Sequence, residues 1–157
     1  VCAHYGCRFL LDRRLAQPLK SWYRENDFGF ECTALLDTID EAVSRMNTSW
    51  FVWLEPDTIL TRAMSLPPPD LKVAALANSS NTYSSEFMTW IETHDGRKLT
   101  STWGNPSGLV EVAAWKAAKR ALRGREEALN FHLAGDDCVA RLFAFHGQDF
   151  THWIDFS

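Results

Sequence analysis

Apolar and polar positions change period along the chain. Val1 to Tyr5 predicts a short strand, and Phe9, Leu10, Leu15, Leu19 and Trp22 then recur at helical spacing across Arg8 to Arg24. Phe28 to Leu36, rich in Phe, Thr and Cys, predicts a second strand. Thr38 to Met46 predicts a helix with Asp37 or Thr38 as N-cap, Asp40 and Glu41 in the first turn, and Ile39, Ala42, Val43 and Met46 on its apolar face. Trp50-Phe51-Val52-Trp53-Leu54 is an uninterrupted apolar run of strand length, as expected of a strand buried on both faces of a parallel sheet. Strand, helix, strand, helix, strand in that order predicts a parallel sheet with right-handed crossovers.

The triple proline in Leu66-Pro67-Pro68-Pro69-Asp70 predicts a stiff extended connection. Dividing the chain there would leave parts of about 65 and 88 residues, each marginal alone, so residues 1–157 are expected to form one domain. Leu71 to Leu76 predicts a buried strand ending in polar Asn78-Ser79-Ser80-Asn81, and Phe87 to Trp103 a hairpin turning at Asp95-Gly96. Gly104-Asn105-Pro106-Ser107-Gly108 is expected to be a loop. Val110 to Leu122 predicts a helix with Val112, Trp115, Ala118 and Leu122 on one side and Lys116, Lys119, Arg120 and Arg123 on the other, the basic side read as solvated surface. A further helix is expected over Asp136 to Phe145, and a strand or extended tail over Phe150 to Phe156.

The 157 residues are 46% hydrophobic and 23% charged, enough for a sizeable single core and unlike a disordered, collagenous or coiled-coil chain. Sixteen Lys+Arg against 20 Asp+Glu, with a pI near 5.7, argue against duplex nucleic acid as a partner. No apolar run reaches the length of a membrane helix, and Arg8, Asp12, Arg13 and Arg14 stand where a signal peptide would be apolar. These features predict a soluble chain without a transmembrane segment and favour the cytoplasm. The start at Val1 leads us to expect an excised domain or a processed product with neighbouring domains. Cys2, Cys7, Cys32 and Cys138 lack metal-site or scaffold spacing and are read as reduced, partly buried thiols. The sequons Asn47-Thr48-Ser49 and Asn78-Ser79-Ser80 matter only in a secretory lumen. Seven Trp residues are read as packing, with one or two lining a pocket.

Two acidic clusters carry the candidate chemistry. The Trp50–Leu54 run leads directly into Glu55-Pro56-Asp57, at the carboxyl end of a strand, where α/β sheets open their ligand crevice. Two carboxylates one residue apart can share Mn²⁺ or Mg²⁺ with a diphosphate; they can equally be strand-end acids turned to solvent. Gly135-Asp136-Asp137 precedes an apolar helix, where acids serve either as caps or as a catalytic base beside a metal-holding cluster.

With these motifs in this order, the chain resembles a GT-A type nucleotide-sugar glycosyltransferase over nearly its whole length, as a compact member or an excised domain. Trp50 to Asp57 is similar to that family's strand and Asp-x-Asp motif with Glu in first place, Gly135-Asp136-Asp137 to its acidic pair, and Phe150-Thr151-His152-Trp153 to the segment that supplies a metal-binding histidine. The resemblance implies an α/β fold: a single Rossmann-like GT-A domain with a mostly parallel central sheet flanked by helices, and a β-hairpin around 87–103. It also implies Asp57, Glu55 and His152 as metal ligands and Asp137, or Asp136, as the base that deprotonates an acceptor hydroxyl. Tyr5, Asp37 at the end of the second strand, Arg45 and Glu55 are implied as donor contacts. The implied partners are a nucleotide-sugar donor and a glycan or other hydroxyl acceptor, with Mn²⁺ or Mg²⁺ as cofactor and inversion as the stereochemical outcome. The small size implies an open acceptor site or one completed by neighbouring segments.

Two other readings compete. Gly135-Asp136-Asp137 and Pro106-Ser107-Gly108 resemble motifs of an RNA-dependent polymerase palm, a reading that requires Gly-Asp-Asp in a hairpin between strands. A non-catalytic carbohydrate- or nucleotide-binding domain would keep a pocket without the chemistry.

Overall fold

The computed structural model of the chain describes residues 32–54, 68–75, 81–99, 102–103, 108–125 and 138–147. The expected strand at Val1–Tyr5, helix at Arg8–Arg24 and tail at Phe150–Phe156 lie outside the described residues.

Helix α1 spans Cys32–Ser44, so the second predicted strand is corrected from Cys32 onward. Leu36, Ile39 and Val43 are buried three and four residues apart, and that helical stripe overrides the modest strand preference of the residues before it. Asp37 and Thr38 therefore sit inside the helix and not at its N-cap. Two short backbone bonds, Arg45 N to Ala42 O and Met46 N to Val43 O, both 3.1 Å, wind down its end and leave Met46 exposed.

The sheet differs most from expectation. Strands β1 (Trp50–Trp53), β2 (Val73–Ala75) and β5 (Gly108–Glu111) form a sheet of order β1-β5-β2, and both pairings are antiparallel. A second antiparallel ribbon joins β3 (Asn81–Thr82) to β4 (Thr102–Trp103). Among the described residues there is no mostly parallel central sheet, and the Rossmann-like GT-A architecture is corrected to helices packed on a small antiparallel sheet. The register explains why the pattern misled. Phe51, Val110 and Val73 lie side by side and enter the main core, whereas Val52, Leu109 and Ala74, one residue along, form a second apolar cluster on the other face with Trp50, Leu54 and Leu71. An unbroken apolar strand reports two covered faces and says nothing of its neighbour's direction.

Residues 68–71 form a turn with Pro69 inside it, Leu71 N donating to Pro68 O at 2.9 Å, so the end of the proline run bends where an extended connection was expected. The predicted hairpin is also corrected. Helix α2 spans Ser85–Asp95, with Ser84 Oγ accepting from Phe87 N at 3.2 Å as its N-cap. Gly96, at φ 65°, closes its end by donating from N to Glu92 O at 3.0 Å. The Asp-Gly pair favours a hairpin because Gly accepts positive φ, and the same freedom suits the residue after a helix.

Helix α3 (Val112–Leu122) follows β5 without a loop and buries the expected Val112, Trp115, Ala118 and Leu122. Gly108, expected in a loop, and Val110 and Glu111, expected at the start of the helix, belong to the central strand. Helix α4 (Cys138–Phe145) is buried along its whole length, Arg141 included, whose guanidinium lies 5.6 Å from the Phe87 ring. Cys138 is disulfide-bonded, which corrects the reduced reading for that residue. Its partner lies outside the described side chains. Among the described residues no helix is long and apolar enough to cross a membrane.

Candidate functional site

Three crossings into undescribed chain are brought together by the sheet register. Trp53 of β1 and Ala75 of β2 both pair with Gly108 of β5. The chain leaves β1 toward Glu55-Pro56-Asp57, leaves β2 toward residues 76–80, and enters β5 from the small-residue segment 104–107, all at this same end of the sheet. Helix α4 begins at the residue after Asp137. Phe51 of β1 and Phe143 of α4 both pack on buried Trp115, with ring centroids at 5.6 Å and 81° and at 6.1 Å and 60°. The elements that flank the two acidic clusters in sequence thus share one aromatic keystone.

Glu55, Asp57, Asp136, Asp137, His152 and Tyr5 themselves lie outside the described residues. Among the described residues no three His, Cys, Asp or Glu side chains gather as a metal site. Asp37 and Arg45 are described. Asp37 stands within α1, not at a strand end, and accepts from Lys119 Nζ at 2.8 Å. Arg45 lies past the end of α1, exposed, paired with Glu41 Oε1 at 2.5 Å.

Asp37 does line a cleft. Its neighbour one turn on, Asp40, accepts from Trp115 Nε1 at 2.9 Å, so two α1 carboxylates hold two α3 side chains four residues apart. Around this clasp opens a cleft of about 420 Å³ lined by Asp37, Asp40, Lys116, Lys119, Arg120, Leu122 and Arg123. Both carboxylates are engaged. Lys116, Arg120 and Arg123 are exposed and make no ion pair among the described residues. Four cations against two occupied carboxylates make an anion-attracting cleft. Sequence reasoning took this basic face for solvated surface, and its spacing of four and three residues was the available signal.

A second ionic cluster is structural. Asp95 accepts from Arg125 at 2.8 Å and from Arg97 at 3.4 Å, while Arg97 Nη2 also donates to Ala144 O and Phe145 O at 3.1 and 2.8 Å, satisfying carbonyls at the end of α4. Arg125 stacks over the Phe145 and Trp90 rings. The hydrogen bond from Arg125, with the charges of both arginines, holds the Asp95 carboxyl below its ordinary value against the opposing effect of burial. A carboxylate so engaged is a weaker base than a free one.

Comparison with protein-family models, with curated proteins and with solved structures finds no match for this chain.

Proposed function

We propose that the chain is a metal-assisted glycosyltransferase that moves a sugar from a nucleoside-diphosphate donor to an acceptor hydroxyl with inversion. One observation supports it above others: the paired row Trp53, Gly108 and Ala75, which sends the acidic segment at 55–57, the segment at 76–80 and the small-residue segment at 104–107 out of the same end of the sheet. A metal-holding cluster beside loops that choose donor and acceptor is what the reaction requires. This proposal does not include a parallel Rossmann-like frame.

Asp57, Glu55 and His152 are the proposed metal ligands, oxygen donors and an imidazole that suit Mn²⁺ or Mg²⁺. The cation supplies charge neutralisation for the departing diphosphate. Asp137, with Asp136 as the alternative, takes the proton of the acceptor hydroxyl as its oxygen attacks the anomeric carbon from the face opposite the diphosphate. The polymerase palm is dropped, because a helix follows Gly135-Asp136-Asp137 where the palm needs a strand.

The cleft between α1 and α3 favours a second reading, a non-catalytic domain that binds nucleotide phosphates through Lys116, Arg120 and Arg123. One set of measurements separates the two. Transferase activity predicts donor hydrolysis that needs Mn²⁺ and falls at least a hundredfold in Asp57→Asn and in Asp137→Asn, a loss typical of removing a positioned acid–base or charge-stabilising group. Turnover unchanged in both variants overturns it. A nucleotide-induced thermal shift independent of metal, and lost in Arg120→Glu/Arg123→Glu, selects the binding domain.

A further inference from the structure

We propose that Asn47 is an N-glycosylation site and that the chain matures in an oxidising, secretory-type lumen. Asn47-Thr48-Ser49 carries the acceptor amide, a hydroxyl two residues on and no proline between. The tripeptide lies in the connection from α1 to β1, where every residue from Ser44 to Ser49 is exposed. Its backbone is tied on both sides, Met46 N to Val43 O at 3.1 Å and Val112 N to Ser49 O at 2.9 Å, and Thr48 Oγ1 donates to Trp50 O at 2.9 Å. The Asn47 side chain makes no hydrogen bond among the described residues, so a glycan on it displaces no internal contact. The connection is held while its amide stands in solvent.

A sequon alone says little, since three-residue patterns arise by chance. The disulfide at Cys138 is the second, separate observation. Cys138 is fully buried at the start of α4, and its bond to another cysteine requires an oxidising compartment during folding. Sequons are glycosylated in that same class of compartment. The disulfide replaces the reduced-thiol reading of Cys138 and argues against the cytoplasmic expectation. In the modification, Asn47 Nδ2 attacks the anomeric carbon of an oligosaccharide carried on a polyisoprenyl diphosphate. The new N–C bond replaces the sugar–diphosphate C–O bond, the diphosphate leaves with that electron pair, and a base of the transferring enzyme takes one amide proton.

Peptide mapping of the protein isolated from its own cells tests this directly. Deglycosylation by peptide:N-glycosidase in heavy-oxygen water should convert Asn47 to labelled aspartate, and the Cys138 peptide should be alkylated only after reduction. An unmodified Asn47 peptide, or Cys138 alkylated without reduction, overturns the proposal. In secreted expression with a cleavable leader, Asn47→Gln and Ser49→Ala should each lose one glycan's mobility shift, with the urea midpoint of the deglycosylated protein unchanged. Retention of the full shift in both variants overturns the assignment to Asn47.

Discussion

Removing Trp115 tests the packing reasoning most severely. The indole is fully buried, meets Phe51 and Phe143 edge-on, and donates from Nε1 to Asp40 Oδ1 at 2.9 Å. A buried Trp hides roughly 150–250 Å², worth about 4–6 kcal/mol at about 25 cal/mol/Å². Residual compactness of the unfolded chain trims this by roughly 10–40%, to about 3–5 kcal/mol, the range expected for Trp→Ala in a core. Trp115→Phe keeps a ring against both neighbours and loses the N–H donor, and Asp40 is exposed enough to regain water, so about 1–2 kcal/mol is expected. Urea unfolding followed by far-UV circular dichroism reads both as shifts in midpoint at constant slope. Combining Trp115→Phe with Asp40→Ala should show a coupling of about 1 kcal/mol. A Trp115→Ala cost below about 1 kcal/mol at unchanged slope refutes the keystone role, and equal costs for Ala and Phe refute the claim that packing outweighs the hydrogen bond.

Two further predictions follow from single residues. Gly96→Ala should cost about 1 kcal/mol in the same urea assay and Gly96→Asn about half that; the space beside Gly96 is open, so backbone conformation alone sets the cost. Because the Asp95 carboxyl is held below its ordinary value of 3.8, its contribution is complete above that pH and is lost as pH falls through 3.8 toward the lower native value. Asp95→Asn should therefore lower stability by about 1–2 kcal/mol near neutrality and flatten the acid limb of the stability–pH profile, with salt reducing the difference because both arginines are partly exposed. An unaltered acid limb would show that the pair with Arg125 does not form.

Local periodicity was legible where one face was buried. The α3 stripe of Val112, Trp115, Ala118 and Leu122 and the apolar run of β1 were read from sequence and are present. Ambiguity entered wherever one residue type serves two structures. Gly96 accepts positive φ in a hairpin turn and after a helix alike, and the decision rests on Phe87 and Ile91, whose spacing of four buries both on one side of α2. Leu36 was read as the last residue of a strand, and Val43, seven residues on and fully buried with it, decides for the helix. The disulfide at Cys138 had no local signature, since pairing of cysteines distant in sequence leaves no spacing to read.

The strand direction had the largest consequence for the candidate site. Asp37 meets Lys119 across 82 positions and Asp40 meets Trp115 across 75, and each pair is one step of an ordinary helical stripe. Which stripe faces which follows from the sheet. Because β5 runs antiparallel to β1, its last residue, Glu111, lies beside Trp50, and the first residue of α3, Val112, bonds to Ser49 in the connection from α1. The antiparallel pairing therefore launches α3 where α1 has just ended, and the two helices can clasp. Had β5 run parallel, its end would lie beside Trp53, about 10–13 Å farther along a four-residue strand, and the carboxylates of α1 would need a different partner. The same reversal puts Gly108 beside Trp53, so the segment before β5 and the acidic segment after β1 issue together. The antiparallel register that removes the expected nucleotide-binding sheet thus builds the basic cleft between α1 and α3 and sets the last residue of β1 beside the first residue of β5 at one end of the sheet.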